Sequence, residues 1–458
     1  MNCVRPHVMH IFPGQGSQYV GMGSDIYREF ETARRVYERA GDSVGFDIAK
    51  LSFHGPQEQL SRTEFTQLAL LTHSMACLEV YKELSANRWP AAVVAGHSLG
   101  EYSALVAAGA LTFEDALTLV QQRGRLMSKY GRGRMAAFAL DLDSLKSIAE
   151  SHYCGIGGCN LPEQTVVCGL EDDLDALIEE VVKSYGKAKT GRYLNTKGAF
   201  HTYLMINAAE HFREYLEPIT VHEPKVKVLS NYTGDYHSTD PAKIKASLFF
   251  QIFHPVKWMW GLQRAIADGV NTILEFGGGI GKDKSGEAQL PSSRKPNLEG
   301  ITRKSQRAAG RDGLYLPAIN SGSLRQAAQA LHLLHQQVED TQDAGLLDNF
   351  AIDQKWFRLF VPMRDGVISQ KALELTMLVE DMGLDTFVQT VGEPYEKSIQ
   401  LLQYCCDTEI ADAEPYLEVV AGGTTAALLH YRRDEIIREL RDLQQTLQRR
   451  GHEFHAHV

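Results

Sequence analysis

Residues 91–100 read Ala91-Ala92-Val93-Val94-Ala95-Gly96-His97-Ser98-Leu99-Gly100, a short apolar run that ends on a G-x-S-x-G turn, with the Ala-rich stretch 101–110 behind it. Strand, glycine-flanked serine and helix, in that order, are the context that turns a serine into a nucleophile. The glycines permit a sharp turn. The serine then sits at the positive end of the helix, where a developing oxyanion is stabilised. The motif has only three fixed positions, and a glycine-rich structural turn is its plainer reading. Three more short apolar runs, residues 7–12, 225–229 and 272–276, are followed by turns and usually by helical stretches. Strands alternating with helices predict parallel pairing and an α/β fold.

Between these runs the pattern changes. Residues 135–140, 155–160, 164–169 and 187–194 read as strands, and 143–151 and 172–184 as helices. The order βαββαβ is that of a ferredoxin-like unit. The expected architecture is therefore an α/β-hydrolase-like parallel-sheet core, residues 1–130 and 197–335, with a ferredoxin-like subdomain, residues 131–196, inserted in it. Residues 281–314 are poor in large apolar side chains and carry a local excess of Lys and Arg, which predicts a long surface excursion. A helix is expected at about 324–338. Residues 340–458 read as a separate, mostly helical region of unknown role. Its last helix carries Leu429, Ile436, Leu440, Leu443 and Leu447 near an a/d spacing. That run is short, and packing within its own domain is preferred to a dimerising coiled coil.

The 458 residues carry 47 Lys and Arg against 57 Asp and Glu, a formal charge of −10. That balance argues against a nucleic-acid partner. No apolar run is long enough to span a membrane, and no secretory segment precedes residue 7. Seven cysteines without tight spacing make no disulfide framework. A cytoplasmic protein without a membrane partner is the expectation.

A nucleophilic serine needs a base. Of 17 histidines, the favoured one is His201, in Gly198-Ala199-Phe200-His201, where the chain leaves the insert. On position alone, a lone loop histidine is more often merely surface-exposed. Thr112 and Asp115 look like a helix start. On that helix Ala116, Leu119, Val120 and Met127 form an apolar stripe, and Arg123 lies on the same stripe. A guanidinium on an inward face is costly unless paired. A bidentate carboxylate would satisfy it, either an internal acid such as Glu101 or a ligand.

These residues, with Phe12-Pro13-Gly14-Gln15-Gly16-Ser17-Gln18 at the end of the first strand, resemble the malonyl-CoA:acyl carrier protein transacylase family. The likeness covers residues 7 to about 335, with FPGQGSQ, GHSLGE, QQRG, CNLPEQ, GAFH and HPVKW in the family's order. The tract 276–282, Phe-Gly-Gly-Gly-Ile-Gly-Lys, with Arg294-Lys295-Pro296-Asn297-Leu298-Glu299, is similar to the free-standing acyltransferases of trans-acyltransferase polyketide synthases. The resemblance implies Ser98 as the acylated nucleophile, His201 as its base, and Gln15 with the Leu99 N–H as the oxyanion hole. It implies that the Gln251 carbonyl holds the histidine ring, in a dyad without a carboxylate. Asp141 or Asp172 could supply a hydrolase-type acid by chain order, but no motif surrounds either. Arg123 would grip the free carboxylate of malonyl. Phe200, Asn160 and Met127 would line the acyl pocket, with Phe200 crowding out an α-methyl group.

The substrate implied is malonyl-CoA, with no tightly bound cofactor. The partner implied is a phosphopantetheinylated acyl carrier protein of a polyketide synthase assembly line. Carrier proteins are acidic, so docking would need a local basic patch. Residues 282–311 are one candidate, and a solvated loop is the plainer reading of them. An acyl hydrolase of the same family is the alternative, disfavoured by the presence of Arg123. An ordinary esterase is disfavoured by FPGQGSQ and by the missing triad acid.

Other motifs fail on their spacing. In 277–282, Phe276 stands where a phosphate loop needs its first glycine, and Asp283 replaces Ser or Thr. Tyr19 stands where a dinucleotide fingerprint needs its third glycine. Cys154 and Cys159 lack a second pair for zinc, so no metal site is expected. Cys405-Cys406 reads as helix packing, and His452, His455 and His457 as a frayed tail.

Overall fold

The computed structural model describes residues 7–196, 198–281, 290–311 and 313–343. Residues Pro6–Ala328 form one compact unit. From Gln329 the helix Ser321–Asp343 belongs to a second unit. The helical region expected over 340–458, with its a/d leucines, Cys405-Cys406 and terminal histidines, otherwise lies outside the described residues.

Within Pro6–Ala328 a five-stranded sheet has the order β7-β2-β1-β8-β9. Its strands are β1 (Val8–Phe12), β2 (Val93–Gly96), β7 (Lys227–Val228), β8 (Thr272–Phe276) and β9 (Leu314–Ala318). Every pairing in it is parallel. The central strands β1, β2 and β8 are buried along their whole length. That is why they read as continuous apolar runs rather than as alternating ones. Met9, Ile11, Val93, Ala95 and Ile273 share a core cluster with Trp258, Leu262 and Ala265 of the helix Trp258–Ala267. The chain steps outward from β1 to β2 to β7, then crosses to β8 on the other flank of β1. Ligands in such open sheets bind beyond the carboxyl ends of the strands near that reversal. Both Phe12-Pro13-Gly14 and Gly96-His97-Ser98 leave strands at that end.

The expected insert is a four-stranded sheet of order β4-β5-β3-β6, with antiparallel pairs. Its elements are β3 (Arg134–Phe138), the helix Leu142–Ser151, β4 (Gly155–Leu161), β5 (Gln164–Gly169), the helix Glu171–Tyr185 and β6 (Arg192–Tyr193). Ala136, Phe138, Leu145, Val167, Leu174 and Leu177 form its own core.

Two expectations need correction. The strand expected over 187–194 is a 3-10 turn, Lys187–Lys189, followed by the two-residue β6. Gly186, at φ 84°, turns the chain sharply here. A Cβ on Gly191 would stand 2.5 Å from the Phe138 ring. The excursion expected over 281–314 contains regular structure among its described residues. It holds the helix Glu299–Ala308 and runs into β9, an edge strand absent from the sequence reading. The helix turns Thr302, Ser305 and Gln306 inward, so it shows no apolar stripe. β9 contains Pro317, which an edge position tolerates. Buried Glu275 of β8 ties this segment to the sheet. It accepts from the Asn297 N–H at 2.8 Å, from the Leu298 N–H at 2.9 Å and from the Tyr315 hydroxyl.

Candidate active site

The nucleophile elbow is built by close backbone approach. A Cβ on Gly96 would stand 1.8 Å from the Gly100 carbonyl carbon, and one on Gly100 would stand 2.2 Å from the Phe12 carbonyl oxygen. Both glycines are therefore required by space alone. Ser98 itself has φ 53°. A left-handed serine between strand and helix is a strained conformation, which persists only where its surroundings hold it. Here they do. The Ser98 N–H donates to Asn231 Oδ1 at 2.6 Å, and Asn231 Nδ2 donates to the Gly96 carbonyl at 2.7 Å. The Asn231 side chain thus straps both ends of the turn.

Ser98 Oγ and His201 Nε2 are 2.7 Å apart, and His201 Nδ1 lies 2.7 Å from the Gln251 carbonyl oxygen. A carbonyl acceptor on Nδ1 fixes the tautomer with its proton there, leaving Nε2 as the lone-pair nitrogen that faces the hydroxyl. His201 is also left-handed, at φ 64°. Burial, reinforced by the Arg123 charge, holds its imidazole down at about 3. The ring is therefore neutral at ordinary pH, as a base must be. The carboxylates weighed for a triad stand elsewhere. Asp141 caps the helix Leu142–Ser151 by accepting from the Ser144 N–H at 2.8 Å, and Asp172 is exposed in the first turn of Glu171–Tyr185.

Arg123 is buried on the helix Phe113–Tyr130 with Ala116, Leu119, Val120 and Met127. Thr112 caps that helix, accepting from the Asp115 N–H at 3.0 Å, so the helix start read from the sequence is correct. One Nη2 proton of Arg123 reaches Ser98 Oγ at 3.1 Å and another reaches Gln251 Oε1 at 3.0 Å, while Nη1 donates to Gln67 Oε1 at 3.0 Å. Nε has no hydrogen-bond partner. Desolvation lowers the guanidinium pKa, and Glu101 acts against that. Glu101 is the internal acid considered as its partner, but the two are not in direct contact. The Gln251 amide lies between them: its Nε2 donates to Glu101 Oε2 at 2.8 Å and to the Ser98 carbonyl at 2.9 Å.

The remaining expected residues surround the same point. A Cβ on Gly14 would stand 2.5 Å from the His97 carbonyl oxygen, so the FPGQG loop lies directly on the elbow. Gln15, on that loop, is half-buried and donates to Thr63 Oγ1 at 3.3 Å. Leu99 caps the helix Gly100–Ala107, in the first turn, where N–H groups have no intrahelical acceptor. Asn160 sits in a bulge of β4 and pairs with His97 Nε2 at 2.9 Å. Met127 Sδ accepts from Gln67 Nε2 at 3.7 Å. Phe200 is buried, with its ring against Gly198 and Gly131. Gln67, Glu101, Asn231 and His237 join the site without having been expected as parts of it, apart from Glu101 as a possible ion-pair partner.

Within the basic stretch Lys295, Lys304, Arg307 and Arg311 are exposed, while two arginines are engaged. Arg294 lies over the Tyr19 ring at 4.5 Å, and Arg303 pairs with Glu299 at 2.7 Å and covers the Tyr315 ring. Lys282 and Lys284 fall outside the described residues. Among the described residues no group of three His, Cys, Asp or Glu side chains converges on a metal-sized point, and no helix is long and apolar enough to cross a membrane.

A serine on a strand–helix elbow, a histidine held by a carbonyl and a buried arginine beside both thus meet at one point. The acyl transferase domain family matches residues 9–276. The malonyl CoA-acyl carrier protein transacylase of Bacillus subtilis (strain 168) is 38% identical over 281 residues, covering 59% of this chain and 87% of that one. The enzyme of the same name from Haemophilus influenzae is 37% identical over 277 residues, with coverage of 59% and 88%. The solved malonyl CoA-acyl carrier protein transacylase of Clostridium perfringens superposes with a TM-score of 0.64 at 28% identity, covering 72% of this chain and 99% of that one. A malonyl-transacylase solved in complex with a type II polyketide synthase acyl-carrier protein gives 0.62 at 29% identity, with coverage of 70% and 99%. The chain belongs to the acyl transferase domain family and, within it, to the malonyl-CoA:acyl carrier protein transacylases.

Proposed function

We propose that the protein moves malonyl from malonyl-CoA to the phosphopantetheine thiol of an acyl carrier protein. The observation that carries this reading is Arg123: a buried cation 3.1 Å from the hydroxyl of Ser98 supplies a site for a carboxylate next to a nucleophile. In the first half-reaction Ser98 Oγ attacks the thioester carbonyl and its proton passes to His201 Nε2. The Leu99 N–H and the Gln15 side chain receive the oxyanion. The C–S bond breaks, the proton goes to the departing sulfur, and a malonyl ester remains on Ser98. In the second, the carrier thiol loses its proton to His201 Nε2 and attacks the ester. The C–O bond breaks and the proton returns to Ser98 Oγ. Kinetics are ping-pong. The malonyl carboxylate pairs with Arg123 throughout, and Phe200, Asn160 and Met127 bound the acyl group.

The glycine tract after β8 and its later Arg294–Glu299 segment favour service to a polyketide synthase whose acyltransferase is free-standing. Four buried cysteines, Cys77, Cys154, Cys159 and Cys168, are free thiols, in keeping with a cytoplasmic location. The core, insert and C-terminal region are assigned to residues 1–130 with 197–335, to 131–196 and to 340–458.

Intact-protein mass spectrometry tests the reading. Malonyl-CoA should add one malonyl group, Ser98→Ala should take none, and a holo acyl carrier protein should remove it. An adduct lost to water with or without the carrier would favour the hydrolase. Absence of any adduct from an acyl thioester would exclude both.

A further inference from the structure

Behind the elbow lies a buried carboxylate–imidazole pair that the reaction as described does not use. Glu101 has no exposed surface, and both it and His237 have side chains closed to solvent. Glu101 Oε1 is 2.6 Å from His237 Nε2, and Oε2 accepts from the Asn231 N–H at 3.1 Å and from Gln251 Nε2 at 2.8 Å. We propose that Glu101 and His237 are positioning residues that set the grip of Arg123, and hence the selection of carboxylate-bearing acyl groups, through the side chain of Gln251. This rests on the reading of Arg123 as the malonyl-carboxylate site.

The argument is one of donor and acceptor matching. The Gln251 amide nitrogen faces two acceptors, the Glu101 carboxylate and the Ser98 carbonyl, so its oxygen must face Arg123 Nη2. A carboxylate at 101 therefore fixes which end of the amide Arg123 meets. An amide at 101 would not. It could donate to Gln251 Oε1, and the reversed Gln251 would present its N–H groups to a guanidinium that has no acceptor of its own.

His237 occupies the other oxygen of the Glu101 carboxylate through its Nε2. Its Nδ1 is buried without a partner. A neutral ring with its proton on Nε2 leaves only a lone pair unmatched there, whereas a protonated ring would bury an orphan N–H. The carboxylate faces Arg123 across the width of one amide. His237 reaches this place because the turn after β7 folds back: the His237 N–H donates to the Val228 carbonyl at 2.8 Å, and Leu229 bridges to Tyr236.

The test compares two acylating reagents of Ser98 that differ in the carboxylate, malonyl-CoA and p-nitrophenyl acetate. Glu101→Gln should lower kcat/KM for malonylation about tenfold or more, the loss of a buried hydrogen bond to a charge. Release of p-nitrophenol should fall by a clearly smaller factor than malonylation, so that the ratio of the two rates shifts. His237→Leu should shift the ratio of the two rates in the same direction, and His237→Gln, which keeps an N–H toward Glu101, should restore it. An unchanged ratio in both Glu101→Gln and His237→Leu overturns the proposal, including the case in which both rates fall together with the melting temperature. A wild-type protein that takes acetyl but no malonyl would instead overturn the reading of Arg123.

Discussion

Arg123 and Glu101 are both buried behind Ser98, and the side-chain amide of Gln251 separates them, accepting from the first at 3.0 Å and donating to the second at 2.8 Å. The same residue's main-chain oxygen holds His201. One glutamine therefore holds the Arg123 guanidinium through its side chain and the His201 ring through its backbone.

Removing the cation should separate these two functions. Arg123→Ala is expected to cut kcat/KM for malonyl-CoA by about a hundredfold or more, as loss of a charge-assisted bidentate contact does. Ser98 should still react with an acyl donor that has no carboxylate, because its contact with His201 remains. Stopped-flow acylation with both donors checks this, and equal losses would place Arg123 in the chemistry rather than in binding.

Asn231→Ala should slow acylation by all donors alike. It leaves the Ser98 N–H and the Gly96 carbonyl without their partners and frees a left-handed serine to relax. A stability cost of about 1–3 kcal/mol is expected for the exposed pairings. Urea unfolding measures that cost, and a wild-type rate in this variant would show that the strap is dispensable.

Gly100→Ala should fail on sterics. Its methyl would meet the Phe12 carbonyl at 2.2 Å, backbone against backbone, with no flexible end to move. A loss of about 3 kcal/mol or more is expected, visible as a lowered urea midpoint. A midpoint within the error of the parent would mean that β1 and the elbow are not held this close in solution.

The pH dependence of acylation should be unusual for a histidine base. With His201 held at about 3, the acid limb of kcat/KM should lie well below the 6.5 of an ordinary imidazole. A limb at 6–7 that vanishes with Glu275→Gln would assign it to Glu275, which burial raises to about 7, and one that persists would place His201 in a wetter site.

Stability should fall on acidification. His10, His73 and His201 are each held at about 3 by burial. From pH 6.5 downward the unfolded chain binds protons that these rings refuse, so their full contribution is present above 6.5 and is lost toward 3. The bonding of His73 agrees: its Nδ1 accepts from the Gly278 N–H at 2.9 Å. Glu275, raised to about 7 by burial, opposes this, contributing below its unfolded value and losing that contribution as pH rises to 7. Three groups outweigh one, and each is worth about 1.4 kcal/mol per pH unit at most. Urea midpoints at pH 5 should therefore lie below those at pH 7, and the reverse order would mean charged or solvated imidazoles.

The parts legible in the sequence were those whose cause is local. Gly96 and Gly100 flank Ser98, so spacing alone located the elbow. Arg123 lies three and four residues from its stripe neighbours, so its burial could be read from helical period. Asn231 and Glu101 were hidden because their partners lie far along the chain: Asn231 bonds Ser98 across 133 residues, and Glu101 bonds Gln251 across 150 and His237 across 136. Nothing near Asn231 in sequence distinguishes it from a turn asparagine. β9 was missed because Pro317 interrupts the apolar run Leu314–Ala318 of a parallel edge strand. The Glu299–Ala308 helix was missed because it buries Thr302, Ser305 and Gln306, side chains that carry no apolar signal.

The join between insert and core has a mechanical consequence. β4 bonds the segment that follows Gln251 as a strand bonds its neighbour: the Cys159 N–H donates to the Val256 carbonyl at 2.9 Å, and the Val256 N–H donates to the Gly157 carbonyl at 3.1 Å. Main-chain hydrogen bonds have a narrow range of lengths, unlike side-chain packing across a hinge. Asn160, one residue beyond that join, and Gln251, five before Val256, are therefore fixed relative to one another as two jaws of a set caliper. Moving the two apart would first break these main-chain hydrogen bonds.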